Sequence, residues 1–138
     1  MFRAALERVP DYFEALNGLG NIAGRQGDFD LAISLFQRAL AEQPDNITAR
    51  RNLGTAFAQA GQWEAAEKEL RRALDDAPSV VVNHYALAQV LAARGRLAEA
   101  AETARAALRL KPGFAPAREL LEQIERDRLR KALPARDR

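Results

Sequence analysis

The chain has 138 residues, among them 21 basic, 19 acidic, one histidine and no cysteine, for a net charge of +2. Without cysteine there are no disulfides and no thiolate metal sites. No apolar run approaches the ~20 residues of a membrane-spanning helix, so membrane insertion is not expected.

Prolines stand at Pro10, Pro44, Pro78 and Pro112, 34 residues apart each time. A fixed period of that length marks stacked helix–turn–helix units. In chain order, residues 1–12 come first. Phe2, Ala5 and Pro10 match Phe36, Ala39 and Pro44 one period later, so this stretch reads as the second helix of a preceding repeat whose first helix is missing. The expectation is a truncated chain with Met1 as an introduced start or a replaced residue, favoured over a natural short protein that begins in mid-repeat. Phe2, Leu6 and Val9 then lack part of their cover, and weak self-association through the solenoid ends is expected.

Three full repeats follow, at 13–46, 47–80 and 81–114. Their expected helices cover 13–26 and 30–43, then 47–60 and 64–77, then 81–94 and 98–111. Each is about fourteen residues, a length that depends on tertiary packing. Leu19, Leu53 and Leu87 align, each followed by a small residue at Gly20, Gly54 and Ala88. Gly27, Gly61 and Gly95 sit where the chain must turn. Ala32, Ala66 and Ala100 align, as do Phe36, Leu70 and Ala104, and then Ala39, Ala73 and Ala107. The small residues fall where helices approach closely and the larger ones fill the seams. Proline closes each second helix because it cannot donate the next backbone hydrogen bond. Residues 115–133 carry Leu120, Leu121 and Ile124 at helical spacing among charges, the pattern of a polar-faced capping helix. Pro134 ends it, and 134–138 read as a frayed tail.

Charge is uneven along this array. Repeat 13–46 has five acidic and two basic residues, repeat 47–80 has five of each, and repeat 81–114 has two acidic and five basic. The gradient either orients a charged partner or records drift among solvated faces.

Little in the chain suggests catalysis. His84 falls in a packing column with Leu16 and Arg50, and general-base chemistry would want a partner that the sequence does not offer. The string GLGNIAG places Gly18, Gly20 and Gly24 close together, but a phosphate-binding loop needs a preceding strand. Asp28, Asp30, Asp75 and Asp76 lie at helix ends, where capping and charge account for them. The stretch RDRLRK at 126–131 is interrupted by Asp127 and has no aromatic interleaving, so nucleic-acid binding is not expected. No catalytic residue, cofactor or metal is expected.

The motifs LNGLGNIAGRQGDFDLAISLFQRALAEQPDN, RNLGTAFAQAGQWEAAEKELRRALDDAPS and YALAQVLAARGRLAEAAETARAALRLKPG resemble the tetratricopeptide repeat family over residues 13–114. The resemblance implies an all-α, right-handed α-solenoid of antiparallel helix pairs. It departs from the family pattern at Leu16, Arg50 and His84, where an aromatic is common, and one inter-repeat contact is expected to be weaker.

In that family the first helix of each repeat lines a concave groove. The resemblance places Asn17, Asn21 and Arg25 there from the first repeat. Thr48, Arg51, Asn52, Thr55 and Gln59 come from the second, and Val82, Tyr85 and Gln89 from the third. Asparagine amides both donate and accept, which suits the backbone of an extended peptide, while Val82 and Tyr85 suit an apolar side chain. Members that clamp chaperone tails use three cations where this chain has Asn17, Val82 and Ala86, so that clamp is not expected. The expectation is a non-catalytic scaffold for a protein or peptide partner. The rival is the targeting arm of a larger glycosyl-, sulfo- or methyltransferase. The alanine- and arginine-rich composition hints at a bacterial source, and the cytoplasm is only slightly favoured as the compartment.

Overall fold

The structure is a computed structural model that describes residues 12–133. The helix expected over 2–9 and the tail 134–138 lie outside the described residues. Contacts divide the chain into two compact units, one ending at Asp76 and one beginning at Ala77.

The first unit contains α1 (Phe13–Arg25), α2 (Phe29–Glu42), α3 (Ile47–Gln59) and α4 (Trp63–Asp76). α1 pairs with α2, α3 with α4, and α2 packs on α3. Leu16, Ile33, Leu35, Phe36 and Leu53 form its core with a set of alanines, and Ala32, Ala39, Ala66 and Ala73 have no exposed surface. These helices are amphipathic, and burial of the apolar stripe stabilises segments too short to be helical alone.

Two columns trade volume. A Cβ on Gly20 would lie 2.6 Å from the Phe36 ring, and one on Gly54 would lie 2.8 Å from Leu70 Cγ. In the second unit the corresponding residues are Ala88 and Ala104, both fully buried. Where the second helix carries a large side chain, the first carries none; where it carries a methyl, the first has a methyl.

The second unit contains α5 (Val81–Ala93), α6 (Leu97–Leu110) and α7 (Ala115–Ala132). α5 pairs with α6, and α7 packs on α6 and touches α5. Leu87, Val90, Leu91 and Ile124 are buried with Ala100, Ala101, Ala104 and Ala107. Asn83 is also fully buried, in the column that holds Ala15 and Ala49 in the first unit. Both units are of the all-α helical-repeat solenoid class.

The turns within helix pairs share one geometry. Gly27, Gly61 and Gly95 have φ of 81°, 78° and 80°, a conformation glycine adopts without a Cβ clash. The next residue then closes the helix: Asp28 N–H bonds the Ala23 carbonyl at 2.9 Å, Gln62 that of Phe57 at 2.8 Å and Arg96 that of Leu91 at 3.0 Å. The second helices start one residue earlier than the sequence reading placed them, at Phe29, Trp63 and Leu97. For α2 the cause is visible: Asp28 is the N-cap, its carboxylate accepting from the Leu31 N–H at 3.3 Å. Asn46 does the same for α3, accepting from Ala49 N–H at 3.0 Å.

Arg50 and His84 do more than occupy a packing column. Arg50 Nη2 donates to the Pro44 carbonyl at 3.1 Å, and His84 Nε2 lies 2.7 Å from the Pro78 carbonyl. Each reaches back six residues to the chain leaving the preceding second helix. Arg50 Nη1 also bonds Glu69 at 2.7 Å. Polar ties therefore stand where an aromatic contact was expected to be missing, while Leu16 is wholly buried.

Candidate functional site

All eleven expected site residues lie on first helices, on α1 and α3 in the first unit and on α5 in the second. α1 and α3 touch, and across them Asn52 Nδ2 donates to Asn17 Oδ1 at 3.3 Å. Helical spacing produces this meeting, because position five of one repeat comes level with position six of the next. Each amide keeps further hydrogen-bonding capacity.

Beside the pair lies an open slot of about 210 Å³. Asn21, Arg25, Asn52, Thr55 and Gln59 line it, together with Gly20, Gly24 and Phe36. Phe36 comes from α2 and is otherwise buried. Thr48 and Arg51 are not among the lining residues. Thr48 is exposed and Arg51 half-buried, and loss of water around the Arg51 guanidinium lowers its pKa from the ordinary value.

In the second unit Val82 and Gln89 are exposed and Tyr85 is half-buried. Gln89 Nε2 donates to the Tyr85 hydroxyl at 3.1 Å, one helical turn away. The Tyr85 ring meets Phe114 edge-on, with centroids 5.7 Å apart and planes at 78°. Lys111 Nζ lies 5.8 Å from the Phe114 ring. Tyr85 is thus held on one side by an amide and on the other by an aromatic edge.

Phe36 and Phe114 lie on no first-helix face and so fall outside the site that the sequence predicts. The pairing of the Gly20 and Phe36 columns was the available signal for the former. Phe114 is the N-cap position of α7, and no periodic pattern pointed to it.

The remaining candidates have local roles. GLGNIAG lies inside α1. Arg126 bonds Gln123 at 2.8 Å, Arg128 pairs with Glu125 at 3.6 Å and Arg130 with Asp127 at 3.3 Å, so RDRLRK is laced with pairs three residues apart. Among the described residues no group of three or more His, Cys, Asp or Glu is placed to hold a metal ion. No described helix is long and apolar enough to cross a membrane.

Family models described as tetratricopeptide repeat match residues 1–47, 25–83 and 83–114. No curated protein matches the sequence. Solved structures share the fold at low identity. The first TPR of Spaghetti (RPAP3), bound to the HSP90 peptide SRMEEVD, is 23% identical with a TM-score of 0.78, over 83% of this chain and 91% of that one. The second TPR domain of human RPAP3, in complex with the HSP70 peptide SGPTIEEVD, is 24% identical with a TM-score of 0.74, over 80% and 92%. The Sgt2 TPR domain from Aspergillus fumigatus is 22% identical with a TM-score of 0.82, over 88% and 84%.

Proposed function

We propose, for a chain that belongs to the tetratricopeptide repeat family, a non-catalytic scaffold whose first-helix faces hold an extended segment of a partner protein. The observation that carries this reading is the contact of Asn52 with Asn17. One hydrogen bond between them leaves donor capacity on Asn17 and acceptor capacity on Asn52, the two functions that an extended backbone presents in alternation. Exposed Asn21, Thr48, Thr55 and Gln59 extend this polar face. In the second unit Val82 and Tyr85 offer apolar area to a side chain.

The chaperone peptides in two of the similar structures support a peptide as the kind of partner. This chain reads its segment differently. Val82 and Ala86 stand where the tail-clamping members carry cations, so amides and apolar area replace a set of positive charges.

The test is a calorimetric titration against peptides selected from a random linear library. Asn52→Ala is expected to weaken every selected peptide, by about 1–3 kcal/mol. Tyr85→Ala should weaken only those with a matching apolar residue. Selected peptides that bind both variants as tightly as the parent protein would put the interaction elsewhere, and the reading would be dropped.

A further inference from the structure

We propose that the slot beside Gly24 is a specificity pocket for a small apolar side chain with an adjacent carboxylate, carried on the same extended segment. The proposal rests on the peptide-binding reading above and adds a ligand class to it.

Gly24 is a glycine for which the described fold shows no need. Glycine is a poor helix former, and most of the glycines in the helices and turns of the first unit have a visible reason. Gly20 and Gly54 make room for Phe36 and Leu70, and Gly27 and Gly61 take positive φ. Gly24 lies within α1, near its end, at ordinary negative φ. Among the described residues a Cβ there would meet only Gln59 Oε1, at 3.8 Å, an ordinary contact. The same column holds Ala58 and Ala92 in the other repeats. No described neighbour uses the space left by the missing methyl, and Gly24 lines the slot.

The walls define the ligand. Within the slot of about 210 Å³, Gly20, Gly24 and the ring of Phe36 supply the apolar wall, suited to a side chain of valine or leucine size. Asn21, Asn52, Thr55 and Gln59 bring donors and acceptors for the backbone on either side of that residue. Among the described residues Arg25 is the one ionisable side chain lining the slot. It is exposed, and it makes no ion pair with a described residue. Its planar fork of donors complements a carboxylate next to the anchored residue.

The probes are fluorescein-labelled octapeptides of alternating glycine and serine with one central pair, Leu-Asp, Leu-Asn or Ser-Asp, read by anisotropy at low salt. The parent protein should prefer Leu-Asp to each of the others by about fivefold or more. Gly24→Ala should lower affinity for Leu-Asp about tenfold while the thermal midpoint rises, a pair of opposite shifts that simple loss of folding cannot produce. Arg25→Gln, on an exposed residue, should erase the difference between Leu-Asp and Leu-Asn while keeping the preference for leucine over serine. A parent protein that does not distinguish the three peptides overturns the proposal, as does a Gly24→Ala variant that binds Leu-Asp unchanged. If library-selected peptides still weaken with Asn52→Ala in that event, the pocket fails and the peptide-binding reading survives.

Discussion

Gly54 and Leu70 are sized for each other: a Cβ at position 54 would lie 2.8 Å from Leu70 Cγ and 3.0 Å from its Cδ2. Gly54→Ala should therefore destabilise the first unit by about 1–3 kcal/mol through overpacking. Leu70→Ala should cost about 2–5 kcal/mol as a cavity. In the Leu70→Ala background the sign of the first change should reverse, because the added methyl fills vacated space and improves helix propensity. The double variant reproduces the Ala88 and Ala104 pairing of the third repeat. Denaturant midpoints of the four proteins in the cycle check this. Ala66→Leu, at a wholly buried position, should also lower the midpoint, by about 1–3 kcal/mol.

Two glycines three residues apart should respond oppositely to the same change. Gly24→Ala replaces a poor helix former where a Cβ has room, and should add about 0.5–1 kcal/mol. Gly27→Ala forces a side chain onto a backbone at φ 81°, and should subtract about 1–2 kcal/mol. Thermal melts of the two single variants are the measurement. A rise for both would show that the turn relaxes without cost.

His84 and Arg50 perform one task with different groups, so they should be exchangeable in one direction. His84→Ala removes the contact to the Pro78 carbonyl and should cost about 0.5–1.5 kcal/mol. His84→Arg should recover most of that loss by making the bond that Arg50 makes to Pro44. Equal midpoints for His84→Ala and the parent protein would reduce the contact to coincidence.

Two ion pairs of equal length should differ in worth. Arg50–Glu69 and Arg105–Glu125 both measure 2.7 Å, but the first has side-chain exposures of 15% and 18% and the second of 41% and 44%. Water and salt screen the second pair far more. Double-mutant cycles should give a coupling of about 1–3 kcal/mol for Arg50–Glu69 and below about 1 kcal/mol for Arg105–Glu125. High salt should weaken the second while leaving most of the first.

The fold was legible because three copies of one unit expose its rules. Gly27, Gly61 and Gly95 repeat at a position where any other residue would be strained, and the Gly20 and Phe36 columns repeat because two helices meet there. The second helices start one residue earlier than the sequence predicts. Asp28 caps α2 with its carboxylate while Arg96 makes no such cap, and Asp28, Gln62 and Arg96 share no residue type that would mark the boundary. The roles of Arg50 and His84 escaped for a related reason. Their column holds leucine, arginine and histidine, and a contact made through a backbone carbonyl leaves no partner type in the sequence. The sequence placed Asn17 and Asn52 on the same face without naming their contact, which rests on the register between repeats. The part of Phe36 in the slot depends on depth, which periodicity does not report.

The turns at Gly27, Gly61 and Gly95 carry a kinetic consequence. Each joins two helices whose contacts span short stretches of chain, so loop closure costs little entropy and mean contact order is low. Folding should then fall in the microsecond-to-millisecond range of helical proteins. It should also have several starting points, since each hairpin can form first and template its neighbour. A lesion at one turn would then reroute the folding pathway and leave the other hairpins as sites of nucleation.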